Sequence, residues 1–72
     1  MRLSLSQKWV DKLVNLPETG MGYQIVDVYL ESGAIVRKIL VINCEELVIH
    51  PPWTFFENDI QDICLSPQNK QA

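Results

Sequence analysis

The sequence predicts a mainly β protein with one N-terminal helix, built as a small barrel or a strongly bent antiparallel meander. Two long β-branched runs, at residues 22–30 and 35–42, flank a turn that contains Gly33, and a third run ends at His50. Such runs with turn residues between them are typical of antiparallel hairpins. The alternative is an open α+β sheet with the helix across one face.

The length and composition of the chain predict one small domain over residues 1–72. The chain has 72 residues, of which 47% are hydrophobic, and this composition is normal for a folded globular protein. A core of this size supplies little net stability, and small domains often gain more by associating. We therefore expect a homo-oligomer.

Apolar residues at helical spacing predict an amphipathic helix over residues 5–15. The apolar stripe consists of Leu5, Trp9, Val10, Leu13 and Val14. Ser4 and Gln7 have the spacing of a capping box at the start of a helix. Pro17 restricts the residue before it to extended conformations, so the helix should end near residue 15. Because so short a helix is marginal alone, it must lay its stripe on the sheet.

Residues 16–22 are predicted to connect the helix to the first long strand. The first five of them read Leu-Pro-Glu-Thr-Gly, the pattern that sortases cleave to anchor surface proteins. A sorting signal lies near a C-terminus, ahead of an apolar span and a basic tail, and the sequence after this segment has neither. We therefore interpret the segment as a connector whose two glycines permit unusual backbone φ angles.

The decapeptide Asn-Leu-Pro-Glu-Thr-Gly-Met-Gly-Tyr-Gln at residues 15–24, followed by Val-Asp-Val-x-Leu-x-x-Gly at residues 26–33, resembles small bacterial proteins of uncharacterised function. This resemblance implies a shared fold and carries no activity with it. The stretch at residues 28–33, followed by Ile39 and Leu40, also resembles the strand pairing of SH3-like and Sm-like small barrels. The Asp and Asn that shape the RNA pocket of Sm-like proteins are not clearly placed here, so RNA binding does not follow from it.

The predicted β region spans residues 23–65, and its first long strand has two unlike faces. One face carries Val26, Val28 and Leu30. The other face carries Tyr23, Ile25, Asp27 and Tyr29. We expect the first set to face the core. The second set is amphipathic, because its tyrosines can keep a polar tip in water, and it suits a contact between proteins.

The second long strand is apolar on both faces if its side chains alternate strictly. One face then carries Ile35, Ile39 and Val41, and the other carries Val36, Leu40 and Ile42. A strand that is apolar on both faces must be covered on both. The helix can cover one face, and barrel closure or a partner subunit must cover the other. We expect a homodimer in which a partner covers the second face.

The last third of the chain is predicted to close the sheet and to end in a tail. Pro51 and Pro52 stop the meander because proline cannot donate to a β ladder. The segment Glu57–Asp59 is typical of a tight helical turn, and Ile60–Leu65 of a last short strand. Residues 66–72 are polar and are expected to fray.

An aromatic group follows the two prolines and is the second candidate contact site. It consists of Trp53, Phe55 and Phe56. Large aromatic side chains are enriched in binding hot spots. In a chain this small, at least one of the three should plug the end of the core, so a structural plug and a partly exposed patch both remain open.

Charge and hydropathy disfavour nucleic acid and membranes as partners. Six basic residues against nine acidic ones give a net charge of −3, and the basic residues are scattered, so general affinity for phosphate backbones is not expected. No segment approaches the roughly 18 apolar residues of a membrane span. The expected location is the cytoplasm, where Cys44 and Cys64 would stay reduced.

The residues with catalytic or metal-binding chemistry are few and far apart in the sequence. His50 is the single histidine, and Cys44 is its one plausible partner for nucleophilic catalysis. Cys44, His50 and Cys64 could supply three zinc ligands, but no Cys-x-x-Cys spacing supports this. We therefore predict no catalytic, cofactor or metal site.

These observations together favour a non-enzymatic protein-interaction module that self-associates. The predicted contact residues are Tyr23, Ile25, Tyr29, Trp53, Phe55 and Phe56. An Sm-like RNA-binding protein is the first alternative. A small metal or catalytic protein built on cysteine and histidine is the second.

Overall fold

The computed structural model describes residues 1–67 and contains five strands and one α-helix in that range. The elements in chain order are β1 (Arg2–Ser4), α1 (Gln7–Val14), β2 (Tyr23–Leu30), β3 (Ile35–Ile42), β4 (Glu46–Val48), a 3-10 helix (Glu57–Asp59) and β5 (Ile60–Leu65). The prediction of a mainly β fold with one helix near the N-terminus is therefore confirmed.

The strands form one antiparallel sheet in the order β1-β4-β3-β2-β5. β2, β3 and β4 follow one another as a meander, and the chain then crosses back so that β5 lies beside β2. Among the described residues β1 and β5 are free edges, so the sheet does not close into a barrel. The antiparallel meander is found, and barrel closure is not.

The core lies on one side of this sheet, which we call the inner face. Val26, Val28 and Leu30 of β2 are buried there, as predicted, and α1 adds Trp9 and Leu13. The other buried core residues are Val36, Ile39, Val41, Leu47, Ile49, Phe55, Ile60 and Ile63. The helix thus covers the inner face with its apolar stripe, although the last residue of that stripe, Val14, is exposed.

The helix begins two residues later than predicted, at Gln7, because the chain before it belongs to the sheet. Ser4 pairs with β4, so the predicted capping box is wrong. Ser6 is the N-cap, and its side chain makes no capping hydrogen bond. Instead, the Ser6 N–H donates to the carboxylate of Glu57, which satisfies one of the orphan donors that every helix start has.

The end of the helix is held by Gln24, a buried polar residue on the inner face. Its Nε2 donates to the carbonyl oxygens of Leu13, Leu16 and Pro17 at 3.0, 3.2 and 3.3 Å. Buried amides are stable only when they are hydrogen-bonded. Gln24 therefore attaches the C-terminal end of α1 to β2.

The connector after the helix is exposed and closed by its own hydrogen bonds. The N–H groups of Thr19 and Gly20 donate to the Tyr23 carbonyl at 3.0 and 3.2 Å, and the Ile25 N–H donates to the Thr19 hydroxyl at 2.9 Å. A Cβ at Gly20 would collide with the ring of Tyr23, so a larger residue there would displace the ring. Met21 at the tip is 96% exposed.

A β-bulge changes the register between β2 and β3. Val26 pairs with Ile39 but Val28 pairs with Val36, so Asp27 faces two residues, Arg37 and Lys38. Lys38 has φ 57°, in the left-handed region. A bulge inserts one extra residue and bends its strand, so the alternation of β3 shifts by one position here.

The shift makes the predicted faces of β3 wrong. The buried residues are Val36, Ile39 and Val41, and the residues left on the opposite face are Ile35, Leu40 and Ile42. β3 is thus apolar on both sides for a different reason from strict alternation. The buried residues change from even to odd positions at the bulge, and on the outer side Arg37 and Lys38 lie between Ile35 and Leu40.

The C-terminal part matches the prediction as far as Leu65. The 3-10 helix and β5 have the predicted bounds. Ser66, which was expected to fray, is buried, and its N–H donates to the Ile25 carbonyl at 2.9 Å. The rest of the predicted tail, residues 68–72, lies outside the described residues.

On the edge strand β5, one backbone donor is bonded to a side chain of the same strand. The carboxylate of Asp62 accepts the N–H of Ile63 at 2.9 Å and also binds the ammonium of Lys12 on α1. A backbone donor of the edge strand is thus used within the chain. This ion pair also connects α1 to the edge of the sheet.

Candidate interaction surface

The side of the sheet away from the core carries a second apolar surface. Three pairs of residues lie directly opposite each other on β2 and β3: Tyr23 with Ile42, Ile25 with Leu40, and Tyr29 with Ile35. Residues in such pairs project to the same side of a sheet and contact each other. We call these six side chains the outer face. None of them belongs to the buried core cluster or packs against it.

The outer face is partly open to solvent and has a polar rim. Tyr23 and Ile35 are exposed, and the other four side chains are half-buried. Val48 of β4 pairs with Leu40 and extends the apolar surface across a third strand. Beyond it, Arg2 and Glu46 form an ion pair at 3.3 Å. An apolar centre with a polar rim is typical of protein–protein interfaces.

Asp27 lies between the two ends of the outer face and is only 2% exposed. Its Oδ2 lies 3.2 Å from Nη1 of Arg37, and its Oδ1 accepts the backbone N–H of Lys38 at 3.0 Å. Both oxygens therefore have partners, as a buried carboxylate requires. The ammonium of Lys38 is exposed and makes no ion pair with any described residue.

The structure brings three of the predicted contact residues together and separates the others. Tyr23, Ile25 and Tyr29 lie on the outer face, as expected from their alternation along β2. Their partners Ile35, Leu40 and Ile42 were placed on two different faces by sequence reasoning, which could not see the bulge. The local signal that could have suggested the bulge is the charged Asp27 in β2, which lies opposite the adjacent Arg37 and Lys38 in β3.

The predicted aromatic group is divided by the fold. Phe55 is 3% exposed and belongs to the core, so it is the structural plug and cannot contact a partner. Trp53 and Phe56 are 41% and 64% exposed. The Trp53 N–H donates to the His50 carbonyl, and the Phe56 N–H donates to the carboxylate of Asp59, so the backbone is held at both residues. These two side chains remain candidates for a second contact.

The cysteine and histidine residues are not assembled into a site. The Cys44 thiol lies 3.7 Å from the Gln24 side-chain oxygen, and the Cys64 thiol lies 3.6 Å from Asp62. Burial raises the pKa of both thiols, and nearby carboxylates raise it further, so both stay protonated. Among residues 1–67 no three His, Cys, Asp or Glu side chains are grouped as metal ligands would be.

One cavity of about 280 Å³ lies between the start of α1 and the 3-10 helix. It is lined by Ser6, Lys8, Trp9, Glu31, Glu57, Asn58 and Ile60. Its charged groups already serve the fold, since Glu57 binds the helix start and the Lys8 ammonium lies 4.7 Å from the centre of the Trp9 ring.

Most basic side chains are engaged by carboxylates of the same chain. Arg2, Lys12 and Arg37 pair with Glu46, Asp62 and Asp27. Among residues 1–67, Lys8 and Lys38 are the basic side chains without a carboxylate partner, which is fewer than phosphate backbones need. Within the part of the chain that the structure describes, no helix has the length and apolarity to cross a membrane.

Comparison with known proteins gives no further guide to the site. No protein-family model, curated protein or solved structure matches this chain. The function must therefore be inferred from the surface itself. The outer face groups six apolar or aromatic side chains on two neighbouring strands, and Trp53 and Phe56 are two further exposed aromatic side chains.

Proposed function

We propose that this chain is a small non-enzymatic interaction module that forms a homodimer through its outer face. The observation that supports this is the set of three apolar cross-strand pairs outside the core. Apolar area removed from water contributes about 25 cal/mol per Å². A domain of 72 residues has a small stability margin, so covering this face is a large relative gain.

A second copy of the chain suits the size and charge of the outer face. A standard interface removes about 800 Å² from each partner, about a sixth of the 4732 Å² surface of this chain. Both signs of charge border the apolar pairs Tyr23–Ile42 and Ile25–Leu40, with Lys38 at the bulge on one side and Glu46 beside Ile42 on the other. A surface with both signs can be complementary to itself in a twofold dimer.

Analytical ultracentrifugation over a range of concentrations tests the proposal. We expect wild-type protein to sediment as a dimer at micromolar concentration. Ile25→Asp, in the central pair of the outer face, should give a monomer with an unchanged far-UV circular dichroism spectrum. Val14→Asp is the matched control, because Val14 is exposed on α1, which packs on the inner face, and it should remain dimeric.

A wild-type protein that stays monomeric up to millimolar concentration would overturn the proposal. So would an Ile25→Asp variant that is folded and still dimeric, because the dimer would then use another surface. Trp53 and Phe56 are the next candidates in that case, and Trp53→Ala with Phe56→Ala tests them in the same experiment.

The remaining assignments are part of the same proposal. We place the chain in the cytoplasm, where the protonated thiols of Cys44 and Cys64 would stay reduced. The resemblance to small bacterial proteins and to SH3-like or Sm-like domains stays a prediction. The RNA-binding alternative lacks the support of a basic surface among residues 1–67. A filter-binding assay with RNA at low salt tests it directly.

A further inference from the structure

The charges around the outer face are arranged along the direction of β3. Lys38 lies two residues before Leu40, and Ile42 lies two residues after it. Glu46 pairs with Ile42 from the neighbouring strand β4. Lys38 is exposed and makes no ion pair with the described residues, and Glu46 keeps part of its side chain exposed beside Arg2.

The position of each charge can be measured from Leu40, which pairs with Ile25. In β2, Asp27 and Tyr23 lie two residues on either side of Ile25, about 7 Å away at a rise of about 3.4 Å per residue. Lys38 lies opposite Asp27 at the bulge and Ile42 pairs with Tyr23, so these two lie on opposite sides of Leu40 at similar distances. Adjacent strands are about 4.8 Å apart, so Glu46 lies one strand spacing to the side of Ile42. A rotation that reverses the strand direction about Leu40 therefore brings the position of Lys38 next to that of Glu46.

We propose that two copies pack outer face to outer face with antiparallel strands and a twofold axis that crosses β2 and β3 at Ile25 and Leu40. Each Lys38 then lies beside the partner's Glu46, and the contact occurs twice. This inference rests on the proposed homodimer and specifies its geometry.

The opposite orientation is disfavoured by charge. A twofold axis parallel to the strands would bring Lys38 close to its own copy on the other subunit. Like charges at an interface are repulsive. Asp27 could not neutralise them, because it is buried and both of its oxygens are already bonded to Arg37 and to the Lys38 backbone.

Zero-length cross-linking with a carbodiimide tests this geometry on the unmodified sequence. The reagent joins an ammonium to a carboxylate only when they are in contact. With a mixture of ¹⁵N-labelled and unlabelled protein, mass spectrometry separates links between subunits from links within one. We expect a link between subunits that joins Lys38 to Glu46 or to the adjacent Glu45. Lys38→Arg is the control, because it keeps the charge and the dimer but cannot form the link.

Charge reversal supplies an independent measurement. Glu46→Lys and Lys38→Glu should each weaken dimerisation about tenfold or more, and the double variant should recover most of the loss. A wild-type dimer without the predicted link, together with a double variant no tighter than the single ones, would overturn this geometry and leave the homodimer standing. A wild-type monomer would overturn both.

Discussion

The two faces of the β2–β3 hairpin differ in what covers them. The inner face is covered by α1 through Trp9 and Leu13, whereas the six side chains of the outer face lie outside the core cluster and are exposed or half-buried. Each face nevertheless contains one buried polar side chain from β2, Gln24 inside and Asp27 outside. Both are fully hydrogen-bonded, but to different parts of the structure.

The difference between these two residues explains the difference between the faces. Gln24 bonds to the end of the helix and so attaches the element that covers the inner face. Asp27 bonds to the backbone of Lys38 and so stabilises the bulge that sorts the apolar residues of β3 between the faces. Gln24 thus fixes the helix on the inner face, and Asp27 fixes the bulge that forms the outer face.

The largest expected effect comes from removing the cover of the inner face. Trp9→Ala should lower the free energy of unfolding by about 3–5 kcal/mol, because it leaves a large cavity in the core. Denaturant titration measures this loss of stability. A loss below about 1 kcal/mol would show that Trp9 does not anchor the helix.

An intermediate effect is expected from Asp27 on the outer side. Asp27→Ala should lower the free energy of unfolding by about 1–3 kcal/mol, because the Lys38 N–H loses its acceptor. Asp27→Asn keeps an acceptor oxygen and should lose less, and denaturant titration compares the two. Faster hydrogen exchange of the Lys38 amide in the alanine variant would locate the effect at the bulge. Equal losses in both variants would contradict this role.

The smallest effect concerns the Lys12–Asp62 pair, which connects the helix to the edge of the sheet. The hydrogen bond from Lys12 holds the pKa of Asp62 below its usual 3.8, with burial opposing it. The pair therefore stabilises the fold above that value, and this contribution is lost as the pH falls through the lower folded pKa. Because both side chains are partly exposed, we expect less than about 1 kcal/mol.

Thermal unfolding of wild type and Asp62→Asn between pH 2 and 7 measures this smallest effect. Wild type should be the more stable of the two near neutral pH, and the difference should vanish at the acidic end. A constant difference across the range would show that the charge of Asp62 contributes nothing.

Local patterns were sufficient for much of the fold. Alternation along β2 predicted that Val26, Val28 and Leu30 are buried, although not that Asp27 is, and the bounds of β5 followed from its apolar run and the turn before it. β1 could not be predicted, because three residues with no distinctive pattern become a strand only through pairing with β4.

Only the β2 half of the outer face could be predicted, because the positions of the β3 residues also depend on pairing between strands. The three β2 residues of the outer face follow from alternation, but Leu40 and Ile42 depend on a hydrogen bond between Asp27 and the Lys38 backbone, eleven positions apart in the chain. The choice of Phe55 over Trp53 as the core residue likewise depends on how the chain crosses the sheet.

The bond between Asp62 and the Ile63 N–H has a consequence for how copies of this chain can meet. Strands add to a free edge by pairing with its unsatisfied backbone donors, and such growth has no natural end. Here a donor of β5 is occupied by the neighbouring carboxylate, which Lys12 holds in place. A strand that pairs with β5 at Ile63 must first break both contacts, whereas in the proposed dimer a contact between two outer faces is complete after one partner.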